Sequence, residues 1–231
     1  MLRPKKKITK RELKQDALVT TYAEVTSFYE THKKNISIAI TALVIVIIAA
    51  VVFFKNRADN NEKAMTLLGS IYTFYDNGQY QLAIDGVPEK NIQGLRSIVE
   101  NYGSSSSGGI ACFYLASAYY QLGNYDEALR YFEEASVSGD LLAVSRLAGI
   151  ADCYEAKGDH RQAAEYFEKA AARNSKDVNV AEYLSNAARN YAQSGDKEKA
   201  LDLYRRLKKN YPTTSFGREA DRYIEQLSVQ A

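Results

Sequence analysis

At 231 residues the chain has room for one domain with a real core and a separate segment besides. Its net charge of +2 is unevenly spread: residues 1–54 hold nine Lys or Arg against four Asp or Glu, and the remainder holds 21 against 24. The larger part therefore lacks the positive footprint of a nucleic-acid binder. Three Pro, no Trp and eighteen Tyr, with many Ala, Leu, Glu and Lys, favour an all-α domain. Cys112 and Cys153 form neither a disulfide framework nor a metal motif and read as small core residues.

Residues 1–11, MLRPKKKITKR, read as a disordered cationic tail. A helix is expected from Thr9, with Thr9 and Glu12 spaced as a capping box. Leu13, Leu18, Tyr22, Val25 and Tyr29 recur at mostly three- and four-residue spacing and give that helix one apolar face. Lys33 and Lys34 then mark a boundary.

Ile36 to Phe54, ISIAITALVIVIIAAVVFF, carries no charge, and only Ser37 and Thr41 interrupt it. At about 1.5 Å per residue it matches the ~30 Å hydrocarbon core of a bilayer. No small-residue cleavage site follows, since Val51 to Phe54 stand there, so an uncleaved single transmembrane signal anchor is expected. The KKK and KR clusters predict a cytoplasmic amino terminus. Close to the span the balance runs the other way, with Lys33 and Lys34 before it and Lys55, Arg57 and Lys63 after it. The tail either contacts lipid headgroups or a partner protein, or serves only to set topology.

From Lys55 onward the pattern is helical and repetitive. Leu115-Ala116 and Tyr119 lead through Gly123 and Tyr125 to Ala128, Phe132 and Ala135. Ile150-Ala151 and Tyr154 lead through Gly158 to Ala163, Phe167 and Ala170. Ala187-Ala188 and Tyr191 lead through Gly195 to Ala200, Tyr204 and Pro212. The alanines suit close helix crossings, the tyrosines fill the space between helices, and the glycines close turns in a left-handed conformation. Asp159 and Asp196 stand where they cap the second helix of a pair.

A degenerate unit precedes these, with Phe74, Gly78, Tyr80 and Ala83 at the same spacing. An insertion, DGVPEKNIQ, and a short helical piece, GLRSIVENY, follow it. Residues 103–109, GSSSSGG, read as a flexible linker. Asn101-Tyr102-Gly103-Ser104-Ser105 is echoed by Asn210-Tyr211-Pro212-Thr213-Thr214, with Ala111 answering Ala220. A last helix, about 217–229, then stands where another repeat would begin, and Arg218, Glu219, Asp221, Arg222 and Glu225 give it the polar face of a capping helix.

These spacings resemble the tetratricopeptide repeat, a helix–turn–helix unit of about 34 residues. The family's Trp is replaced by Cys112, Leu147 and Leu184, and its closing Pro survives only as Pro212. The resemblance implies a helical solenoid over residues 55–231, with a degenerate repeat at about 62–102, repeats at about 109–142, 144–178 and 181–214, and the capping helix.

No catalytic set is present, and an enzyme is not expected. His32 lies at the membrane edge and His160 in a repeat turn, neither with ligands at metal spacing. Neither a nucleotide motif nor a nucleophile elbow occurs, so no cofactor is expected. The working surface of a solenoid is its inner face, lined by the first helix of each pair. With Cys112, Leu115, Ala116 and Tyr119 in the core, the opposite stripe is Ile110, Phe113, Ser117 and Tyr120. The next stripes are Ser145, Ala148, Asp152 and Glu155, then Glu182, Ser185, Arg189 and Ala192. The first stripe is apolar and aromatic, which fits a hydrophobic peptide or protein segment, or else packing on the 92–102 helix. Tetratricopeptide domains that clamp a terminal carboxylate resemble one another in basic and Asn residues on this stripe. Phe113, Ser117, Ala148 and Asp152 stand there instead.

The whole arrangement is similar to the YfgM family, an ancillary subunit of the bacterial SecYEG translocon. The shared features are the aromatic helix Tyr22 to Tyr29 before one anchor, the Ile84-Asp85-Gly86 turn, and Gly94-Leu95-Arg96 before Tyr102-Gly103. That resemblance implies an inner-membrane protein with its domain in the periplasm, beside the translocon and a PpiD-type chaperone. A scaffold for outer-membrane or cell-wall assembly is the alternative.

Overall fold

The computed structural model describes residues 10–174 and 178–229, with side chains from residue 19 onward. The basic cluster, the capping box at Thr9 and the side chains of Leu13 and Leu18 lie outside the described residues. The chain divides into two units, one up to Asn56 and one from Arg57. Helix α1 (Lys10–Asp76) contributes to each.

In the first unit every described residue from Lys10 is helical. Ile38, Leu43, Ile47 and Phe53 are each more than half exposed, as lipid-facing side chains of an isolated span would be. The Thr41 hydroxyl donates to the carbonyl oxygen of Ser37 at 2.9 Å, so its polarity is satisfied within the helix. Among the described residues this helix alone is long and apolar enough to cross a membrane.

The second unit is a succession of antiparallel helices. The end of α1 leads to α2 (Tyr80–Asp85), α3 (Leu95–Tyr102), α4 (Ser106–Gln121), α5 (Tyr125–Glu134) and α6 (Asp140–Ala156). Then come α7 (His160–Arg173), α8 (Val180–Gln193), α9 (Lys197–Asn210) and α10 (Ser215–Val229). The insertion after α2 is not loose chain. Strands β1 (Gly86–Val87) and β2 (Ile92–Gln93) pair antiparallel around one 3-10 turn. Arg96 then pairs with Asp85 at 3.0 Å and donates to the Tyr119 hydroxyl at 2.9 Å, tying α2, α3 and α4 together.

The turns follow the repeat. Gly123, Gly158 and Gly195 have φ of +76°, +80° and +87°, a region that glycine enters without steric cost. Asn124, Asp159 and Asp196 follow them, and each accepts a backbone N–H three residues on. Ala116, Ala151 and Ala188 are fully buried. The tyrosines are stacked rather than merely buried: Tyr119 on Tyr131 at 5.5 Å, Tyr154 on Tyr166 at 5.5 Å, and Tyr204 on Tyr223 at 4.9 Å. Tyr191 donates instead to Glu168 at 2.7 Å. Stacked ring pairs each add about 0.5–1.5 kcal/mol beyond burial.

One expectation fails. The 103–109 stretch is not a flexible linker: Ser105 caps α4, its Oγ accepting the Gly108 N–H at 3.0 Å, and Ser107, Gly108 and Gly109 are buried in the first turn. Serine has low helix preference but is among the best N-caps, and glycine is tolerated where backbones must touch. A Cβ on Gly108 would collide with the Tyr102 carbonyl, and one on Gly109 with the Ser136 carbonyl. The echo at the far end has the same geometry. Thr214 Oγ1 accepts the Gly217 N–H at 3.0 Å, and Gly217 lies against the Tyr211 carbonyl.

Candidate interaction groove

Phe113, Ser117 and Tyr120 come from α4, and Ala148 and Asp152 from α6. The structure brings these five together, with Ser145 and Glu182, along one groove of about 320 Å³. Ile110 is partly buried against the α4 core and lies outside its lining. Ser185 is half-buried on α8 and also lies outside. Glu155 and Arg189 pair with each other at 2.9 Å instead of lining it.

The groove wall has further rings. Tyr75 from α1, Phe132 from α5 and Tyr183 from α8 complete it, with Gln121 and Gly149. Phe113 meets Phe132 edge-on at 5.6 Å, and Tyr120 lies 5.4 Å from Tyr125. Tyr75 packs edge-on against Tyr114 and Tyr80, at 5.0 and 5.5 Å. The ring partners of Phe113 and Tyr120 thus come from α4 and α5. Tyr75 had no signal in the degenerate repeat, where Phe74 occupies the matching position. Tyr183 stands one residue from the expected stripe and reaches the groove through its length.

Asp152 is the unusual group. It is half-buried, and among the described residues it forms no ion pair and accepts no hydrogen bond. Burial pushes its carboxyl up to about 6, the nearby charges of Glu155 and Glu182 add to the rise, and Arg189 opposes it. The Tyr120 hydroxyl is pushed up to about 12, mainly by burial and next by the Asp152 charge. Glu155 is held by a second device. Asn190, fully buried, donates from Nδ2 to Glu155 Oε2 at 2.7 Å and to the Asn186 carbonyl at 3.0 Å. Its Oδ1 accepts from His160 Nδ1 at 2.9 Å, in the tautomer that makes Nδ1 the donor. His160 is therefore a structural partner of Asn190. No group of three or more His, Cys, Asp or Glu among the described residues is arranged to hold a metal.

Cys112 and Cys153 are both free and buried. Burial raises the first to about 11 and the second to about 12, so both are unreactive thiols at neutral pH.

The helical pairs, their glycine turns and their small crossing residues define a tetratricopeptide solenoid. Residues 140–212 match the tetratricopeptide repeat, as do residues 109–136. No curated protein matches this chain. Among solved structures it is similar to the nearly identical TPR-like repeats of a Podosopora anserina protein named as a putative kinesin light chain. That similarity has 17% identity and a TM-score of 0.55, covering 74% of this chain and 89% of that one. A point variant of the same protein is similar at 17% identity and a TM-score of 0.54, covering 74% and 88%. At this identity the likeness speaks to fold alone. The chain thus carries tetratricopeptide repeats, a class of module that binds proteins or peptides, together with one helix able to cross a membrane.

Proposed function

We propose that this chain is a membrane-anchored protein-interaction module of the cell envelope. Residues 36–54 cross the cytoplasmic membrane with the amino terminus inside, and residues 55–231 form the extracytoplasmic solenoid. Its inner face, centred on Phe113, Ser117, Tyr120, Ala148 and Asp152, holds a segment of another protein. The supporting observation is the groove itself, in which five aromatic rings from four helices line a concave surface. Taken with the resemblance to the YfgM family, the setting is the Sec translocon, where the module assists export or periplasmic chaperoning beside a PpiD-type chaperone. No residue set in the groove points to chemistry, and the role is recognition.

A photo-crosslinking phenylalanine analogue at position 113 or 120, expressed in membranes, tests this. The expected adducts are translocon subunits or a membrane-anchored chaperone. Adducts confined to outer-membrane or cell-wall assembly proteins would transfer the role to a different envelope scaffold. Adducts only within the chain itself would remove the inner face as an interaction surface.

A further inference from the structure

The groove pairs aromatic walls with carboxylates that have no ion-pair partner in its lining. Among the described residues, Asp152 and Glu182 line it and no Lys or Arg does. Asp152 has no ion-pair partner there, and Arg189, the cation that moderates it, is occupied by Glu155 at 2.9 Å and donates to Asn186 as well. Asn190 fixes Glu155 in place for that pairing, at 2.7 Å. The rings that share the groove with these carboxylates include Tyr75, Phe113, Tyr120 and Tyr183. Ring faces attract cations, and more strongly where water is excluded. A part-buried carboxylate without a paired cation has its charged form disfavoured, as the raised proton affinity of Asp152 records, and a ligand cation would offset that.

We propose that the groove selects an extended peptide in which a Lys or Arg, flanked by apolar residues, enters between the Tyr120 and Phe113 rings and the Asp152 and Glu182 carboxylates. The inference rests on the reading of the inner face as a peptide site and adds the charge of the occupant. Apolar flanks meet Phe113, Phe132 and Ala148, and the cation meets Asp152. The exposed carboxylate of Glu182 at the rim steers the cation inward, and the contribution of such a rim charge falls with added salt. The Ser117 hydroxyl donates to the Phe113 carbonyl at 3.0 Å, so it offers the occupant only its lone pairs.

The test uses the full-length chain in lipid nanodiscs and a random displayed library of short peptides, with wild type and Asp152→Asn selected side by side. Wild type is expected to enrich Lys and Arg next to aliphatic or aromatic residues several-fold over the input. Asp152→Asn should lose most of that enrichment while still enriching the apolar residues. The best Lys-containing peptide should bind Asp152→Asn about tenfold more weakly, and its version with Ser in place of Lys should bind both proteins alike. Should Asp152→Asn lose its helical circular dichroism, the exposed Glu182→Gln provides the same comparison, with a smaller, salt-sensitive loss.

Enrichment of apolar residues without Lys or Arg would overturn the charge selection and leave the peptide site standing. Lys and Arg enrichment unchanged in both variants would assign the preference to net charge and overturn the groove proposal. Failure to enrich any peptide would remove the peptide site along with it.

Discussion

Asp152 carries a stability cost that its chemistry makes measurable. Its carboxyl lies at about 6, against an ordinary value of 3.8, because burial disfavours the charged form and Glu155 and Glu182 add like charge. The groups facing it are Tyr120 on α4, Glu155 on its own helix, and Glu182 and Arg189 on α8. The native state thus binds this proton more tightly than the unfolded chain. Its contribution to stability is fully present below about pH 4 and is lost as pH rises through about 6. Asp152→Asn should therefore stabilise the second unit by about 1–2 kcal/mol at neutral pH, discounted for residual solvent contact. The difference should close toward pH 4, read by urea denaturation across pH. A residue whose removal stabilises the fold while weakening ligand capture belongs to function rather than packing. Equal stability of the two proteins at neutral pH would remove that argument. Asn190 behaves in the opposite way. It is fully buried with each polar atom satisfied, so Asn190→Leu should cost about 2–4 kcal/mol by withdrawing a hydrogen-bond partner from both Glu155 and His160. Urea denaturation of that variant beside wild type gives the figure directly.

At the scale of the element, the starts of α4 and α10 share one device. In each, a Tyr carbonyl accepts the hydroxyl of a Ser or Thr three residues on, at 2.8 Å for both Ser105 and Thr214. That same hydroxyl oxygen then accepts the N–H of a glycine three residues further, which nestles on the Tyr carbonyl. Replacing the cap should cost about 1 kcal/mol for Ser105→Ala or Thr214→Ala. Replacing the glycine should cost more, because Gly108→Ala or Gly217→Ala puts a Cβ into backbone that cannot yield. Thermal denaturation of the four variants should rank both glycine changes below both cap changes. The reverse order would mean that the backbone gives way and the close approach is dispensable.

At the scale of the whole molecule, the buried thiols offer a clean test of topology. Cys112 is 4% exposed and Cys153 is fully buried, and both thiols are raised far above neutral pH. A membrane-impermeant maleimide added to intact spheroplasts should leave the native chain unlabelled. A single new thiol at the exposed Gln226, Gln226→Cys, should then be modified at once if the solenoid lies outside the cytoplasm. Labelling of Gln226→Cys only after lysis would reverse the orientation argued from the KKK and KR clusters. Labelling of the native chain would show that the repeats open readily.

Much of this architecture is legible in the residues alone. The uncharged run from Ile36 to Phe54 needs no tertiary information, since being long and apolar enough to cross a membrane is a matter of length and hydropathy. The repeat is legible because each unit makes the same local demands: a small residue where helices cross, a ring between pairs, a glycine at φ near +80° and an acid or amide cap. That Phe113, Ser117 and Tyr120 share one side of α4, and Ala148 and Asp152 one side of α6, follows from helical periodicity alone. What periodicity does not contain is the partner across the groove. The Gly/Ser run at 103–109 is a linker by composition and a buried helix start in the fold, because the Tyr102 and Ser136 carbonyls lie where a Cβ would be. Tyr75 and Tyr183 enter the groove from helices far apart in sequence. Arg189, on the same stripe as the others, is withdrawn from it by Glu155, itself oriented by the buried Asn190. That pairing leaves Asp152 alone among the rings. Charge that a sequence only counts is given a place by which side chains meet, and here tertiary contact turned a mixed stripe into a negative aromatic groove.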